Sequence, residues 1–233
     1  MIEFGHGTHV GLRRTRNEDT YHADAATGLF LVADGMGGHQ HGEVASALVR
    51  DAMVELAAGE LSLMEAVHGA AERLLAEPRH GFDVLPMGTT IVVLRVIGDA
   101  YELAWVGDSR AYLWKDQLRQ ISHDHSLVQA LVAAGQLEPA QAVRHPQRNV
   151  LTQALGVTAM EQLHVGMACG TLEPGMAFLL CSDGLTEEVS DEVIAHTVAR
   201  TDLAAQECVD HLLLHALDNG GDDNVTVVLV RCV

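Results

Sequence analysis

Four short apolar runs in this chain each meet an aspartate at one end: "LFLVADG" at Asp34, "ELAWVGDSR" at Asp108, "AFLLCSDG" at Asp183 and "GGDDNVTVVLV" at Asp222 and Asp223. In the first, residues 29–33 are all apolar, the length and bulk of a strand covered on both faces. An Asp-Gly pair after such a run ordinarily marks a turn, because glycine supplies the positive φ that turns need. The recurrence at several strand ends opens a second possibility, that the carboxylates converge.

The remaining elements fall into blocks. An amphipathic helix is expected near 42–58, with Val44, Leu48, Ala52 and Leu56 on one face, and a second over about 62–76. Strands at 89–96, 100–107 and 110–114, with a turn at 115–117 into "LRQIS", read as a meander of neighbouring antiparallel strands. A polar, helix-prone excursion with Pro139 and Pro146 occupies 124–156. Strands resume near 162–167 and 176–181, and Ser190 before Asp191 and Glu192 looks like the N-cap of a helix to about 200. A helix over 202–218 and a strand over 224–232 close the chain. Blocks rather than strict alternation favour an antiparallel α+β architecture with helices covering the sheet faces. With 233 residues, 48% of them hydrophobic, and no repeat or linker, a single domain is expected over 1–233.

Charge and composition exclude several classes. Fourteen Lys and Arg against 32 Asp and Glu give a formal net charge of −18, which repels a nucleic-acid backbone. No segment approaches the ~18 apolar residues of a membrane span. The basic pair of "MIEFGHGTHVGLRR" follows the weakly apolar part, the wrong order for a secretory signal, so a soluble, cytoplasmic protein is expected. Cys169, Cys181, Cys208 and Cys232 form no CxxC pair and are read as reduced thiols. Among the 14 histidines, HxxxH on a helical face with a neighbouring glutamate is absent; "HQH" at 39–41 and "HDH" at 123–125 read as polar surface loops.

A further acidic pair, Glu18 and Asp19, stands behind the arginines of "RRTRNED". Acidic groups crowded in a partly apolar site raise one another's pKa values unless cations neutralise them. Oxygen donors alone favour Mg²⁺ or Mn²⁺ over zinc. Gly35 and Gly184 let the backbone turn sharply beside a carboxylate, and a glycine carbonyl can approach a cation. Spacing alone leaves both a metal site and a set of unrelated turns open.

The segments "RTRNED", "VADGMGGH", "MGTT", "VGDSR", "DHSLVQALVAAGQL", "HPQRNVLTQALG", "LLCSDGLTEEV" and "DNVTVVLV" run nearly end to end. In that order they resemble the metal-dependent Ser/Thr protein phosphatases of type 2C, in their compact bacterial form. The resemblance implies an antiparallel β-sandwich flanked by helices, with a binuclear Mn²⁺ or Mg²⁺ centre at one end. It implies that Asp34 bridges both metals, that the Gly35 carbonyl joins one of them, and that Asp183 and Asp223 complete the ligands. Asp108 with Asp183 matches the site of a third, weaker metal; a capped turn with Ser109 is the alternative for Asp108. Glu18 and Asp19 then orient water, and Arg14 grips the phosphoryl oxygens, while Arg13 and Arg16 are expected to be solvated. Asn224 is expected to tie Asp223 in place. Eukaryotic relatives place a histidine, the proposed proton donor, directly after the Asp-Gly pair; here that position is Met36, with His39 three residues on.

Residues 123–156 resemble the family's flap, and their polar sequence and prolines suit a mobile cover. The implied partners are phosphorylated proteins, with a Ser/Thr kinase and its substrates foremost, met by a monomer. The rival readings are a phosphatase restricted to one switch protein or a small phosphate ester, and a non-catalytic phosphoprotein-binding pseudoenzyme.

Overall fold

Two antiparallel sheets pack face to face, and the apolar runs explain why. The computed structural model describes residues 1–37, 41–77, 87–142 and 144–233. One sheet follows the order β1 (Ile2–His9), β11 (Val225–Cys232), β10 (Ala177–Cys181), β7 (Arg110–Trp114) and β8 (Leu118–Gln120). The other runs β2 (Asp19–Asp24), β3 (Leu29–Met36), β5 (Ile91–Ile97), β6 (Ala100–Val106) and β9 (Gly166–Thr171), with the short β4 (Gly88–Thr89) beside β3. Helices α1 (His41–Ala57) and α2 (Leu63–Leu75) cover the second sheet, and α6 (Asp191–Val198) and α7 (Ala205–Asn219) cover the first.

Side chains alternate between layers with the period of a strand. Along β3, Leu29 and Leu31 face α1 and α2, whereas Phe30 and Val32 enter the space between the sheets. Along β10, Leu179 and Cys181 face the α6 and α7 layer, and Phe178 and Leu180 point between the sheets. Each such residue is fully covered, a contribution of about 1.5–3 kcal/mol apiece against exposure, which is why these strands read as unbroken apolar runs. The expected α+β sandwich is therefore the observed one.

Several local expectations are corrected. The strands at 100–107 and 110–114 do not continue one meander: β6 pairs with β5, while β7 crosses to the other sheet and pairs with β10 and β8. The crossing occurs at Gly107, whose φ of 103° breaks the hairpin geometry. The buried stripe of α1 is Ala45, Val49, Ala52 and Met53, with Val44, Leu48 and Leu56 only partly covered on its flank, because small residues let α1 press onto β3. The strand expected near 162–167 begins at Gly166, after a 3₁₀ turn at Met160–Gln162. Two N-terminal strands, β1 and β2, carried no expectation. In β1, a side chain at Gly5 would collide with the backbone of Ala205 and Gln206, so the docking of α7 overrides glycine's low strand propensity. The cap expected at Ser190 is found, bonding Val193 N–H at the start of α6, and α2 opens on a capping box of Ser62 with Glu65 that carried no expectation.

The excursion after β8 holds α3 (Leu127–Ala133) and α4 (Pro139–Ala142). Its two roots are zipped by a bridge between Ser126 and Leu151, and Thr89 bridges Leu155. His39 lies outside the described residues; His41 opens α1.

Candidate active site

Antiparallel pairing brings five chain segments to one end of the sandwich. Asp19 at the start of β2 and Asp34 near the end of β3 are direct Cα partners. Asp183 follows β10 as the first residue of α5 (Asp183–Thr186), Asp223 precedes β11, and Asp108 occupies the crossing between sheets. Together with Arg14, Glu18, Gly35 and Met36 they line one cleft of about 630 Å³, whose walls also include Asn149 and Leu151 from the excursion. All eight residues expected at the site are thus adjacent to it: Asp19 lies behind the wall and the other seven face the cleft.

The main chain of Asp34 and the carboxylate of Asp19 are held by groups that the strand ends supply. The Asp34 carbonyl accepts from Thr89 Oγ1 and Thr90 N–H, both at 2.8 Å, and Asp34 N–H donates to Thr90 Oγ1 at 3.0 Å. Asp19, 8% exposed, accepts at Oδ2 from Ser182 Oγ and Thr226 Oγ1, each at 2.7 Å. Gly35 is required by crowding: a side chain there would run into the carbonyls of Gly42 and Glu18. Gly184 is likewise pressed against the Asn224 carbonyl.

Asn224 holds this end of the molecule differently from expectation. Its side chain donates to the carbonyls of Val10 at 2.9 Å and Arg16 at 2.8 Å, and accepts from Glu18 N–H at 2.7 Å, so it fixes the arginine-bearing loop. Asp223 is tied instead by the backbone N–H of Asn224, at 2.8 Å to Oδ1. Arg14 donates to Asp223 Oδ2 at 2.6 Å. Arg13 makes a wider, exposed pair with Asp222 at 3.5 Å, as a solvated residue would, while Arg16 lines the cleft.

The electrostatics are those of an anionic cluster removed from water. Desolvation, then repulsion from Asp19, Asp183, Asp108 and Asp223, pushes Asp34 well above the usual carboxylate range. Asp183 is raised in the same way, by desolvation and then by Asp108 and Glu187. Desolvation lifts Asp19 to about 6 despite its hydroxyl partners, and Asp108 to about 6 with help from Asp124. Glu18 is raised mainly by desolvation, and the Arg14 guanidinium is raised by its bond to Asp223.

A hard cation fits this cluster on two observations. The donors are carboxylates and carbonyls, and the buried atoms Asp19 Oδ1 and Asp183 Oδ1 have no hydrogen-bond partner. Among the described residues the side chains do not themselves close into a cage of three acidic, histidine or cysteine groups around one point. Asp223 is turned to Arg14 instead.

Sequence reasoning missed Ser182, Thr226 and Thr90, the hydroxyls that hold Asp19 and Asp34. Their signal was positional: Ser182 adjoins Asp183, and Thr226 follows Asn224 by the two-residue period that puts both on one face. The loop histidines also need revising. His125 exchanges hydrogen bonds with Gly107, its N–H to the Gly107 carbonyl at 2.8 Å and Gly107 N–H to its Nδ1 at 3.3 Å, pinning the excursion to the Asp108 turn.

A sequence model of the Protein phosphatase 2C family matches residues 7–218. The serine/threonine protein phosphatase PstP of Mycobacterium tuberculosis is 39% identical over 230 residues, spanning 96% of this chain and 43% of that protein. The chain therefore covers less than half the length of that relative. The serine/threonine phosphatase stp of Listeria innocua is 34% identical over 96% of this chain and 95% of its own length. The catalytic domain of PstP, solved in complex with two manganese ions, superposes with a TM-score of 0.87 at 34% identity, over 99% of this chain and 97% of that one.

Proposed function

The chain belongs to the protein phosphatase 2C family, and we propose that it hydrolyses phosphoserine and phosphothreonine on proteins with Mn²⁺ or Mg²⁺ at the cleft described above. The observation that carries this reading is the convergence of Asp34, Asp108, Asp183 and Asp223, half-buried, on one cleft beside Arg14, with Asp19 Oδ1 and Asp183 Oδ1 left without a hydrogen-bond partner. Asp34, Gly35 through its carbonyl, Asp183 and Asp223 would hold two cations, and Asp108 with Asp183 would offer a place for a third. Bound there, such cations lower the pKa of water and stabilise charge developing on phosphoryl oxygens.

The protein's own groups supply the rest. Arg14, a planar fork of donors at the cleft mouth, binds two phosphoryl oxygens and leaves Asp223 when substrate and cations arrive. Glu18, in the cleft wall, accepts a hydrogen bond from the attacking water and holds it in line with phosphorus, and Asp19, behind the wall and paired with Asp34 across β2 and β3, backs that position. Asp19 is itself fixed by Ser182 and Thr226. Met36 carries no transferable proton, so the leaving hydroxyl takes its proton from water. The segment over about 123–156 acts as a flap within a single domain over 1–233, since Asn149 and Leu151 wall the cleft between its zipped roots and Arg148 reaches Glu187 at 3.6 Å.

The substrates are read as proteins modified by a Ser/Thr kinase, and the enzyme as a cytoplasmic monomer. A net charge of −18 and the absence, among the described residues, of any helix long and apolar enough to cross a membrane support that placement. Release of phosphate from phosphoserine and phosphothreonine peptides, with Mn²⁺ and with excess chelator, tests the function. Hydrolysis that requires the cation supports it, and full activity in chelator overturns it.

A further inference from the structure

Among the described residues only two of the side chains lining the cleft are apolar, Met36 and Leu151; the others, glycines aside, are charged or polar. A further apolar side chain, Val157, adjoins Met36. A methyl group built on Gly88 would come within 2.6 Å of Val157 Cγ2 and 3.1 Å of Met36 Cγ, so those two side chains close over the bare Gly88 backbone. Gly88 is the Cα partner of Met36 across β3 and β4, and the neighbouring Thr89 bridges Leu155, which brings residue 157 to the same rim. Val157 is 51% exposed, and Met36 and Leu151 are half-buried.

Hydrolysis of a phosphate ester needs no apolar wall, and an isolated exposed valine needs no explanation. Two apolar side chains closing over one glycine at the edge of a polar cleft form a shelf suited to an apolar contact. We propose that this shelf receives the apolar side chain next to the phosphorylated residue of a protein substrate, so that Met36 and Val157 set its sequence preference. The inference rests on the phosphatase reading. The occupant follows from continuity: Met36 lines the same cleft as Arg14 and Asp34, and consecutive Cα atoms lie about 3.8 Å apart, so the residue adjoining the phosphorylated one stays at this cleft. An acidic neighbour would meet the carboxylates of the same cleft and be repelled.

The test uses phosphothreonine peptides carrying Leu, Ala or Asp on both sides of the phosphoresidue, with p-nitrophenyl phosphate as a substrate that has no flanking residue. With Mn²⁺, kcat/KM for the Leu peptide is expected to exceed that for the Ala peptide about five- to tenfold, the discrimination a small apolar contact provides, and the Asp peptide is expected to be slowest. Met36→Gln keeps side-chain length and adds a polar amide, and Val157→Ser acts at an exposed position. Together they are expected to bring the Leu-to-Ala ratio to about one. Equal kcat/KM for Leu and Ala peptides in the unmodified protein, or a preference that survives both substitutions, overturns the shelf. If the unmodified protein hydrolyses neither the peptides nor p-nitrophenyl phosphate, the phosphatase reading fails and the shelf proposal falls with it.

Discussion

Arg14 Nη2 lies 2.6 Å from Asp223 Oδ2, joining residues 209 positions apart in the chain. The antiparallel pairing of β1 with β11 makes the contact possible, because Arg14 follows the end of one strand and Asp223 precedes the start of the other. The guanidinium supplies the positive charge nearest to a cluster that otherwise repels itself.

Both members of that pair are partly open to water, so the pair contributes at most about 1 kcal/mol to folding. Arg14→Ala is therefore expected to melt close to the unmodified protein while kcat/KM on a phosphopeptide falls about a hundredfold, the scale of a lost charged donor to a phosphoryl group. Arg14→Lys is expected to recover part of that loss through charge alone. Steady-state kinetics and thermal melting on the same samples check both, and normal kcat/KM in Arg14→Ala would remove it from the site.

Cation binding is expected to change stability in a pH-dependent way. Asp19 and Asp108 are raised to about 6, and Asp34 and Asp183 are raised further, by desolvation and mutual repulsion. Acids raised in the folded state keep protons that the unfolded chain gives up, so their contribution is fully present below about pH 4 and is lost as pH climbs through about 6. In chelator, Tm is expected to fall between about pH 5 and pH 7.5, and Mn²⁺ is expected to raise Tm more at the higher pH. At about a hundred times its Kd the cation adds roughly 2.7 kcal/mol. An identical Tm with and without Mn²⁺ at the higher pH contradicts the metal reading.

Asp34→Asn is expected to be the most damaging single change to turnover. Asp34 is the carboxylate on which Asp19, Asp183, Asp108 and Asp223 all act, so it is the point at which the cluster's charges meet. Its backbone is fixed by Thr89 and Thr90 independently of the side chain, so the fold is retained. Activity is expected to fall by about a thousandfold or more, with Tm in chelator unchanged or higher because one charge leaves the cluster. Near-normal turnover would show that Asp34 does not bridge the cations.

What was legible in the sequence follows from how local each signal is. The runs ending at Asp34 and Asp183 announce themselves because strands covered on both faces must be continuously apolar, as Phe30, Val32, Phe178 and Leu180 are between the sheets. That those ends meet was not legible from spacing. It depends on registers such as Asp19 with Asp34 and Cys181 with both Arg110 and Val227, which only the folded pairing fixes. β1 was invisible because Gly5 and Gly7 serve the close approach of α7 rather than strand propensity. The crossing of β7 was invisible because one positive φ, at Gly107, decides it. The order of motifs pointed to the convergence that local physics could not, while Asn224 ties Asp223 through its backbone N–H and spends its side chain on Val10, Arg16 and Glu18.

The last prediction concerns that crossing. Ser109 Oγ lies 2.7 Å from Thr90 Oγ1, and Gly107 is pinned by His125, so the turn is held on both sides of Asp108 by its neighbours. The Asp108 carboxylate adds repulsion instead, being the largest charge acting on Asp183. Asp108→Ala is therefore expected to fold, to melt in chelator no lower than the unmodified protein, and to bind two cations by calorimetry. Turnover on a phosphopeptide is expected to fall at least tenfold or so, since a third cation would lose its carboxylate from this turn. A carboxylate that merely capped the turn would behave in the opposite way, with a loss of about 1–2 kcal/mol of stability and little change in chemistry. Melting and turnover measured on one preparation separate the two, and an unstable but fully active Asp108→Ala protein would take Asp108 out of the site.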